Sequence, residues 1–353
     1  MVHVNEFAST VVAALVYVSL VQGQGTLSVC QQISNSVSLA SGVFYDPEPS
    51  YIADIYHYAT SSSQTAACSV EPGTVEDVGT ILTILGSTRT PFDQRRGHIM
   101  NPNYSSTAGV QIAMSRFTSI DYDSSTGTVA VGAGNIWDNV YEALLPYNVN
   151  VVGGRVSGIG VAGYTLGGGY SYLTNQYGLT IDTVRAFELV LPNGTATNVT
   201  ESTHPDLFWA LKGGYNNYVR WNRDDVYYQT YPQGLVWGGQ NIILGQYADQ
   251  VNAATANFAN NVTDPKQPSS PPVISLLMFY DAPSQPAGSL TSSWHSHVGK
   301  QCPHSYLPDL VLSEDTSTRQ IERVLNTVPL MELRSSLQVR ESNNSTAPLM
   351  NYW

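Results

Sequence analysis

The chain has 353 residues, of which 42% are hydrophobic and only 12% charged, with a net charge of -12 at pH 7. That length is enough for two domains of ordinary size, each with its own core. The apolar content excludes a disordered chain, and the acidic balance has the wrong sign for a protein that binds a nucleic-acid backbone.

The chain opens with an apolar core over residues 8–20, followed by the small and polar residues Gln22 to Gly25. This pattern reads as a secretory signal peptide over residues 1–25, although no Lys or Arg precedes the core; a buried N-terminal helix is the alternative. No other segment approaches the roughly 20 apolar residues of a membrane span, so a secreted chain without a membrane partner is expected. Six glycosylation triplets, at Asn103, Asn193, Asn198, Asn261, Asn343 and Asn344, fit export. Of the three cysteines, Cys30 and Cys68 are the candidates for a disulfide in an oxidising compartment, which leaves Cys302 alone.

After Cys68, Pro72-Gly73-Thr74 followed by Glu76 and Asp77 is a helix start. Val78, Ile81, Leu82 and Leu85 continue it at helical spacing, and Gly86 is expected to stop it. The stretch GVQIAMSRFTSIDYDSSTGTVAVGAG alternates as two or three short strands around a turn at Ser124–Gly127. Helical spacing returns in NIWDNVYEALLPYN, and VNVVGG reads as a strand running into a glycine-rich loop. These elements predict a mixed α+β domain to about residue 238, then a Pro- and Ser-rich second segment built around the strand VISLLMFY, with a weakly helical C-terminal part. We find no internal repeat.

The most informative stretch is GGRVSGIGVAGYTLGGGYSYLTNQYGL, residues 153–179. Gly158, Gly160 and Gly163 spell G-x-G-x-x-G, and Asp182 lies nineteen residues further on, which is the pattern of a nicotinamide-dinucleotide fingerprint. The fingerprint needs a helix after its third glycine, whereas Gly167, Gly168 and Gly169 each cost about 1 kcal/mol in a helix interior. A long loop that wraps an anion with bare backbone amides is therefore preferred. A glycine-rich turn region that merely packs is the plain alternative. In QRRGHIMNPNYSST, residues 94–107, His98 sits beside Gly97 and has four readings open: a metal ligand, a catalytic base, a cofactor attachment point and a structural histidine. Neither His57 nor His204 stands at a recognisable zinc-ligand spacing from it.

Taken together, GHIMNPNYSST, GVQIAMSRF, VGAGNIWDNVYEAL, the glycine stretch with TIDTV, ELVLPNG, DLFWALKGG and YPQGLVWGG resemble the FAD-linked oxidases of the vanillyl-alcohol oxidase type, with a PCMH-type FAD-binding domain. Within them the chain is most similar to the secreted fungal, berberine-bridge-like group. The resemblance implies an α+β fold with an FAD-binding domain over residues 26–238 and part of an antiparallel α+β substrate domain over 239–353. It also implies that Gly97, His98, Ser105 and Ser106 form a first flavin loop, with FAD bonded covalently through His98. Many relatives have a cysteine for a second bond; the matching residue here is Val156, so a single bond is implied. Gly154 takes the place where a small residue admits oxygen. Ser157, Gly158, Gly160, Val161 and Gly163 cradle the pyrophosphate and Tyr164 lies near the flavin, with Arg155, Gly167 and Gly168 flanking and Arg96 beside His98. The implied activity is that of an oxidase, moving hydride from an alcohol, sugar or secondary-metabolite substrate to flavin and on to O2 with release of H2O2. The partners are a small molecule and O2, no metal is needed, and a monomer is expected.

Three departures accompany the resemblance. Arg96 stands where the family has glycine. YNNYVRWNRDDVYYQT replaces the family's hydrophobic strand with Arg220, Arg223, Asp224 and Asp225, which are costly to bury. The chain also stops at Trp353 while relatives continue through the rest of the substrate domain, including a tyrosine base, so it reads as a shortened member. The catalytic base is therefore unassigned. Tyr104, Tyr164, Tyr170 and Tyr172 are core or wall aromatics on the plain reading. An inactive FAD-binding remnant and a nicotinamide-dependent dehydrogenase remain as alternatives.

Overall fold

A computed structural model describes residues 25–95, 101, 104–215, 225–242 and 275–283, with Asp249, Asn252, Ala253 and Ala256. Residues 1–24 of the predicted signal peptide, the segment 96–100 and the C-terminal helical part lie outside these residues. The described chain packs as two units. The first comprises the described residues to Gly154, together with Gly158–Ser171 and Tyr177–Tyr231; the second comprises Arg155–Ser157, Tyr172–Gln176 and those from Pro232 onward.

The first unit begins with helix α1 over residues 25–36, strand β1 (Gly42–Phe44) and helix α2 (Pro49–Ile55). Cys30 and Cys68 form a disulfide, with Cα atoms 6.3 Å apart, which ties α1 to strand β2 (Cys68–Glu71). Helix α3 (Val75–Thr88) starts as the sequence predicts. The Thr74 hydroxyl accepts from the Asp77 N–H at 3.1 Å, and Glu76 and Asp77 in the first turn favour the positive end of the helix dipole. It runs past Gly86 to Thr88, contrary to expectation. One glycine costs only about 1 kcal/mol, less than the buried Ile81, Leu82, Ile84 and Leu85 return, and the helix ends where Arg89 turns left-handed at φ 53°.

Strands β3 (Phe92–Arg95) and β4 (Val110–Ala113) complete a four-stranded sheet in the order β1-β2-β4-β3. The two pairings that involve β4 are parallel, and β4 is buried throughout its length. With α3 this sheet encloses one core, which includes Ile33, Val70, Val78, Ile81, Leu85, Val110 and Ile112.

A second sheet contains β5 (Ile120–Asp123), β6 (Thr128–Gly132), β8 (Val184–Val190), β9 (Ala196–Thr200) and β10 (Asp225–Gln229), in the order β5-β6-β10-β8-β9 and antiparallel throughout. The expected turn joins β5 to β6, with Gly127 at φ 65°. Helix α4 (Trp137–Leu144), the two-residue strand β7 (Val149–Asn150), and helices α5 (Val161–Leu166) and α6 (Pro205–Leu211) accompany this sheet. Its core holds Trp137, Leu144, Val161, Phe187 and Tyr228.

β10 corrects one expectation. The charged segment after Asn217 does not abolish the strand, because Val226 and Tyr228 alternate inward and carry β10 to the middle of the sheet. Asp225 stays at its edge as an acceptor for the Ser119 hydroxyl at 2.9 Å. Arg220, Arg223 and Asp224 lie outside the described residues. In the second unit Trp237–Ile242 pairs antiparallel with Ser275–Tyr280, the strand expected from VISLLMFY. There the Asp281 carboxylate accepts from the side-chain amides of Gln176 at 2.9 Å and Gln233 at 2.6 Å.

Candidate functional site

The glycine stretch is not the continuous loop that its composition suggests. Gly160 precedes α5, and Gly163, the third glycine of G-x-G-x-x-G, lies inside that helix. The run that rejects a helix, Gly167 to Gly169, comes just after its end, with φ 98° at Gly168 and 74° at Gly169. A single glycine is tolerated because Val161, Thr165 and Leu166 are buried, and the Thr165 hydroxyl, which donates to Val161 O at 2.8 Å, lies 2.6 Å from the Tyr228 hydroxyl on β10. The dinucleotide reading finds no parallel βαβ unit here. Asp182 is occupied in its own turn, accepting from the Leu179 N–H at 2.9 Å.

Before this helix, Gly153 and Gly154 are buried flat against aromatic rings. A Cβ at Gly154 would lie 2.6 Å from Trp137 Cδ1, and one at Gly153 would lie 2.4 Å from the Tyr141 hydroxyl. Tyr141 donates to Gly154 O at 2.7 Å, and Tyr164 donates to Gly153 O at 3.3 Å and Tyr170 O at 2.6 Å. Trp137 has no exposed surface, and its Nε1 has no hydrogen-bond partner among the described residues. Gly158, at φ 79°, donates its N–H to the Asp138 carboxylate at 2.7 Å, and Val161 N–H donates to Asn135 O at 3.0 Å. Arg155, Val156 and Ser157 belong to the second unit, where the Arg155 guanidinium lies 5.7 Å over the Tyr172 ring and Val156 is exposed.

Arg96, Gly97 and His98 of the first loop lie outside the described residues. Their neighbours Ser105 and Ser106 are described, and both are tied down. Ser105 is left-handed at φ 55° and contacts the buried His57, while Ser106 is buried and accepts from the Gln64 side chain at 3.1 Å. Tyr104 and Tyr170 are exposed and Tyr172 is buried. Sequence reasoning weighed His57 only as a zinc ligand and gave Trp137 and Tyr228 no role. Their contacts with Ser105, Gly154 and Thr165 join distant segments, so no local signal marks them.

Residues 66–200 match the family described as the FAD binding domain. Over this segment the chain is therefore similar to FAD binding domains. It is 34% identical over 256 residues to an FAD-dependent monooxygenase of Fusarium proliferatum, covering 67% of this chain and 49% of that one. With an FAD-dependent monooxygenase of Aspergillus calidoustus the identity is 39% over 217 residues, 60% of this chain and 41% of that one. The chain thus spans about half the length, or less, of the curated relatives it matches. Its fold is similar to that of a Physcomitrella patens berberine-bridge-like protein, with TM-score 0.65 and 19% identity over 85% of this chain and 68% of the other. It is also similar to the glucooligosaccharide oxidase of Acremonium strictum, whose FAD is 6-S-cysteinyl and 8α-N1-histidyl linked. There the TM-score is 0.59 and the identity 18%, over 68% of this chain and 50% of that one. The α+β architecture of the domain is therefore that of PCMH-type FAD-binding proteins. No helix among the described residues is long and apolar enough to cross a membrane.

The glycine stretch has open space beside its backbone, but its amides are not bare as expected: the N–H groups of Gly158, Val161, Gly167 and Gly168 donate to the Asp138 carboxylate and to the carbonyls of Asn135, Gly163 and Thr165. A Cβ at Gly163 would meet open space, and the nearest neighbour at Gly168 is the flexible end of Leu179 at 3.5 Å, so no rigid wall covers the backbone at either position.

Proposed function

We propose that this chain is an FAD-dependent oxidase, with residues 26–238 holding FAD and 239–353 contributing to substrate binding. The observation that carries the reading is the family match over residues 66–200, which spans both the His98 segment and the glycine stretch. When bound, FAD supplies the acceptor for hydride from an alcohol, sugar or secondary-metabolite carbon. Reoxidation by O2 then yields H2O2, so a CH–OH substrate and O2 become a carbonyl and H2O2. His98 is the attachment residue and, with Val156 in the place of a cysteine, the only one. By the resemblance, Ser157, Gly158, Gly160, Val161 and Gly163 are the residues assigned to the pyrophosphate, with Arg155, Gly167 and Gly168 next to them in sequence. Tyr164 and the Gly154 backbone, backed by Trp137, border the ring. Arg96 precedes Gly97 and His98 in the attachment segment, where the family has glycine. Export fits the Cys30–Cys68 disulfide and the exposed asparagines of the glycosylation triplets at Asn193 and Asn198.

Expression by secretion followed by denaturation tests the reading. Flavin fluorescence should stay with the wild-type chain and be lost from His98→Ala, and a chain without flavin refutes it. The names of the relatives favour a second outcome, monooxygenation, in which one oxygen atom enters the product. Turnover under labelled O2 separates the two: an oxidase leaves the label in H2O2, and a monooxygenase puts it in product.

A further inference from the structure

His57, just beyond α2, has no exposed surface. Its Nδ1 lies 3.0 Å from Ile55 O, and its Nε2 lies 2.9 Å from Ser105 O and 3.0 Å from Ser105 Oγ. The carbonyls of Ile55 and Ser105 can only accept, so whichever ring nitrogen carries the proton donates to one of them, and the Ser105 hydroxyl, which can donate or accept, meets Nε2 in either tautomer. Ser105 is left-handed at φ 55°, a conformation that a side chain disfavours and that surrounding contacts have to hold. The next residue, the buried Ser106, is gripped from the other side by Gln64, whose Nε2 lies 3.1 Å from its Oγ. Two successive residues of the loop are thus pinned by side chains from the segment that follows α2. A histidine serving only to fill space would need neither contact.

We propose that His57 is a positioning residue that holds Ser105 and Ser106 in the form that receives FAD. The inference rests on the functional reading above, which assigns those serines to the flavin loop. The imidazole reaches the two partners at once: Nδ1 braces the ring on its own strand of chain, and Nε2 takes the load of Ser105. Asparagine can reproduce only the Nδ1 reach to Ile55 and glutamine only the Nε2 reach to Ser105, while the two amides are of similar polarity and size.

The test uses the full chain carrying His98→Ala, in which FAD binds without a covalent bond and its Kd can be titrated by flavin fluorescence. In that background His57→Asn and His57→Ala should weaken FAD about tenfold, which corresponds to about 1.4 kcal/mol. His57→Gln should stay within about threefold of the parent. Amide exchange should accelerate over residues 104–107 in the Asn and Ala variants and not in Gln. Equal behaviour of Asn and Gln, or unchanged exchange at 104–107, overturns the role of His57. If the Ala variant does not fold, the Asn and Gln pair decides by itself. A wild-type chain that carries no flavin refutes the parent reading instead, and the two failures are therefore distinct.

Discussion

Replacing Gly154 with alanine places a methyl group 2.6 Å from Trp137 Cδ1, 3.2 Å from Cγ and 3.3 Å from Nε1. Carbon atoms in contact prefer about 3.5–4.0 Å, so the methyl overlaps the indole by roughly 1 Å. The indole has nowhere to go. It is fully buried, with its centroid 6.2 Å from that of Tyr141 and 5.5 Å from those of both Tyr164 and Tyr228. The backbone at Gly154 is held as well, by the Tyr141 hydroxyl on its carbonyl at 2.7 Å. Overpacking of this kind costs about 1–3 kcal/mol, or about 2–4 °C in Tm per kcal/mol for a domain of this size. Trp137→Phe removes the five-membered ring that carries Cδ1 and Nε1. A double-mutant cycle of Gly154→Ala and Trp137→Phe, measured by urea unfolding, should therefore be less than additive by about 1 kcal/mol or more. An additive cycle, or an alanine variant as stable as wild type, would refute the assignment of Trp137 as the wall behind Gly154.

Two further outcomes follow from buried polar contacts. Asp77 accepts from Ser38 N–H, Ser38 Oγ and Ser41 Oγ at 2.8, 2.6 and 2.7 Å. Burial alone would raise its pKa, but the hydrogen bonds from Ser38 and Ser41 outweigh it and hold the carboxyl below its ordinary value. A lowered folded-state pKa contributes stability that is complete above the ordinary carboxylate pKa and lost as pH falls through the lowered one. Asp77→Asn should thus cost about 1–3 kcal/mol at pH 7, with the gap to wild type closing below about pH 4; a gap that stays constant down to pH 3 contradicts the reasoning. Tyr228→Phe removes the hydroxyl that reaches Thr165 Oγ1 at 2.6 Å on α5. It should lower stability by about 0.5–1.5 kcal/mol and weaken flavin retention with it, and a variant with unchanged unfolding midpoint would show that this bond does not hold α5.

Legibility followed the range of the forces involved. The start of α3 could be read because its cap, first-turn acids and apolar spacing lie within a dozen residues of one another. Its end was misread at Gly86 because the penalty of a single glycine is local, whereas the burial of Ile84 and Leu85 that overrides it comes from the sheet. α5 was missed for a related reason: the glycines that forbid a helix begin at Gly167, one residue past its end, and Tyr228 secures it from β10. The charged run before β10 hid a strand whose only signal is the inward pair Val226 and Tyr228. The two segments proposed for FAD stand out as strings of residue types, and Arg96, Gly97 and His98 lie outside the described residues.

By itself, then, the sequence determined the chemistry on offer: an FAD-type glycine stretch, a histidine in a second loop, a cysteine pair that bonds, and an α+β alternation of elements. Such features are written in neighbouring residues or in motif strings, so they survive without coordinates. Only the tertiary structure decided which distant side chains act on those loops. His57 meets Ser105, Trp137 lies flat under Gly154, and Tyr228 holds Thr165, each across a gap in sequence closed by strand pairing and helix packing. A buried hydrogen bond or ring contact depends on which surfaces the fold brings to within a few ångströms, and no local pattern in the chain encodes that distance.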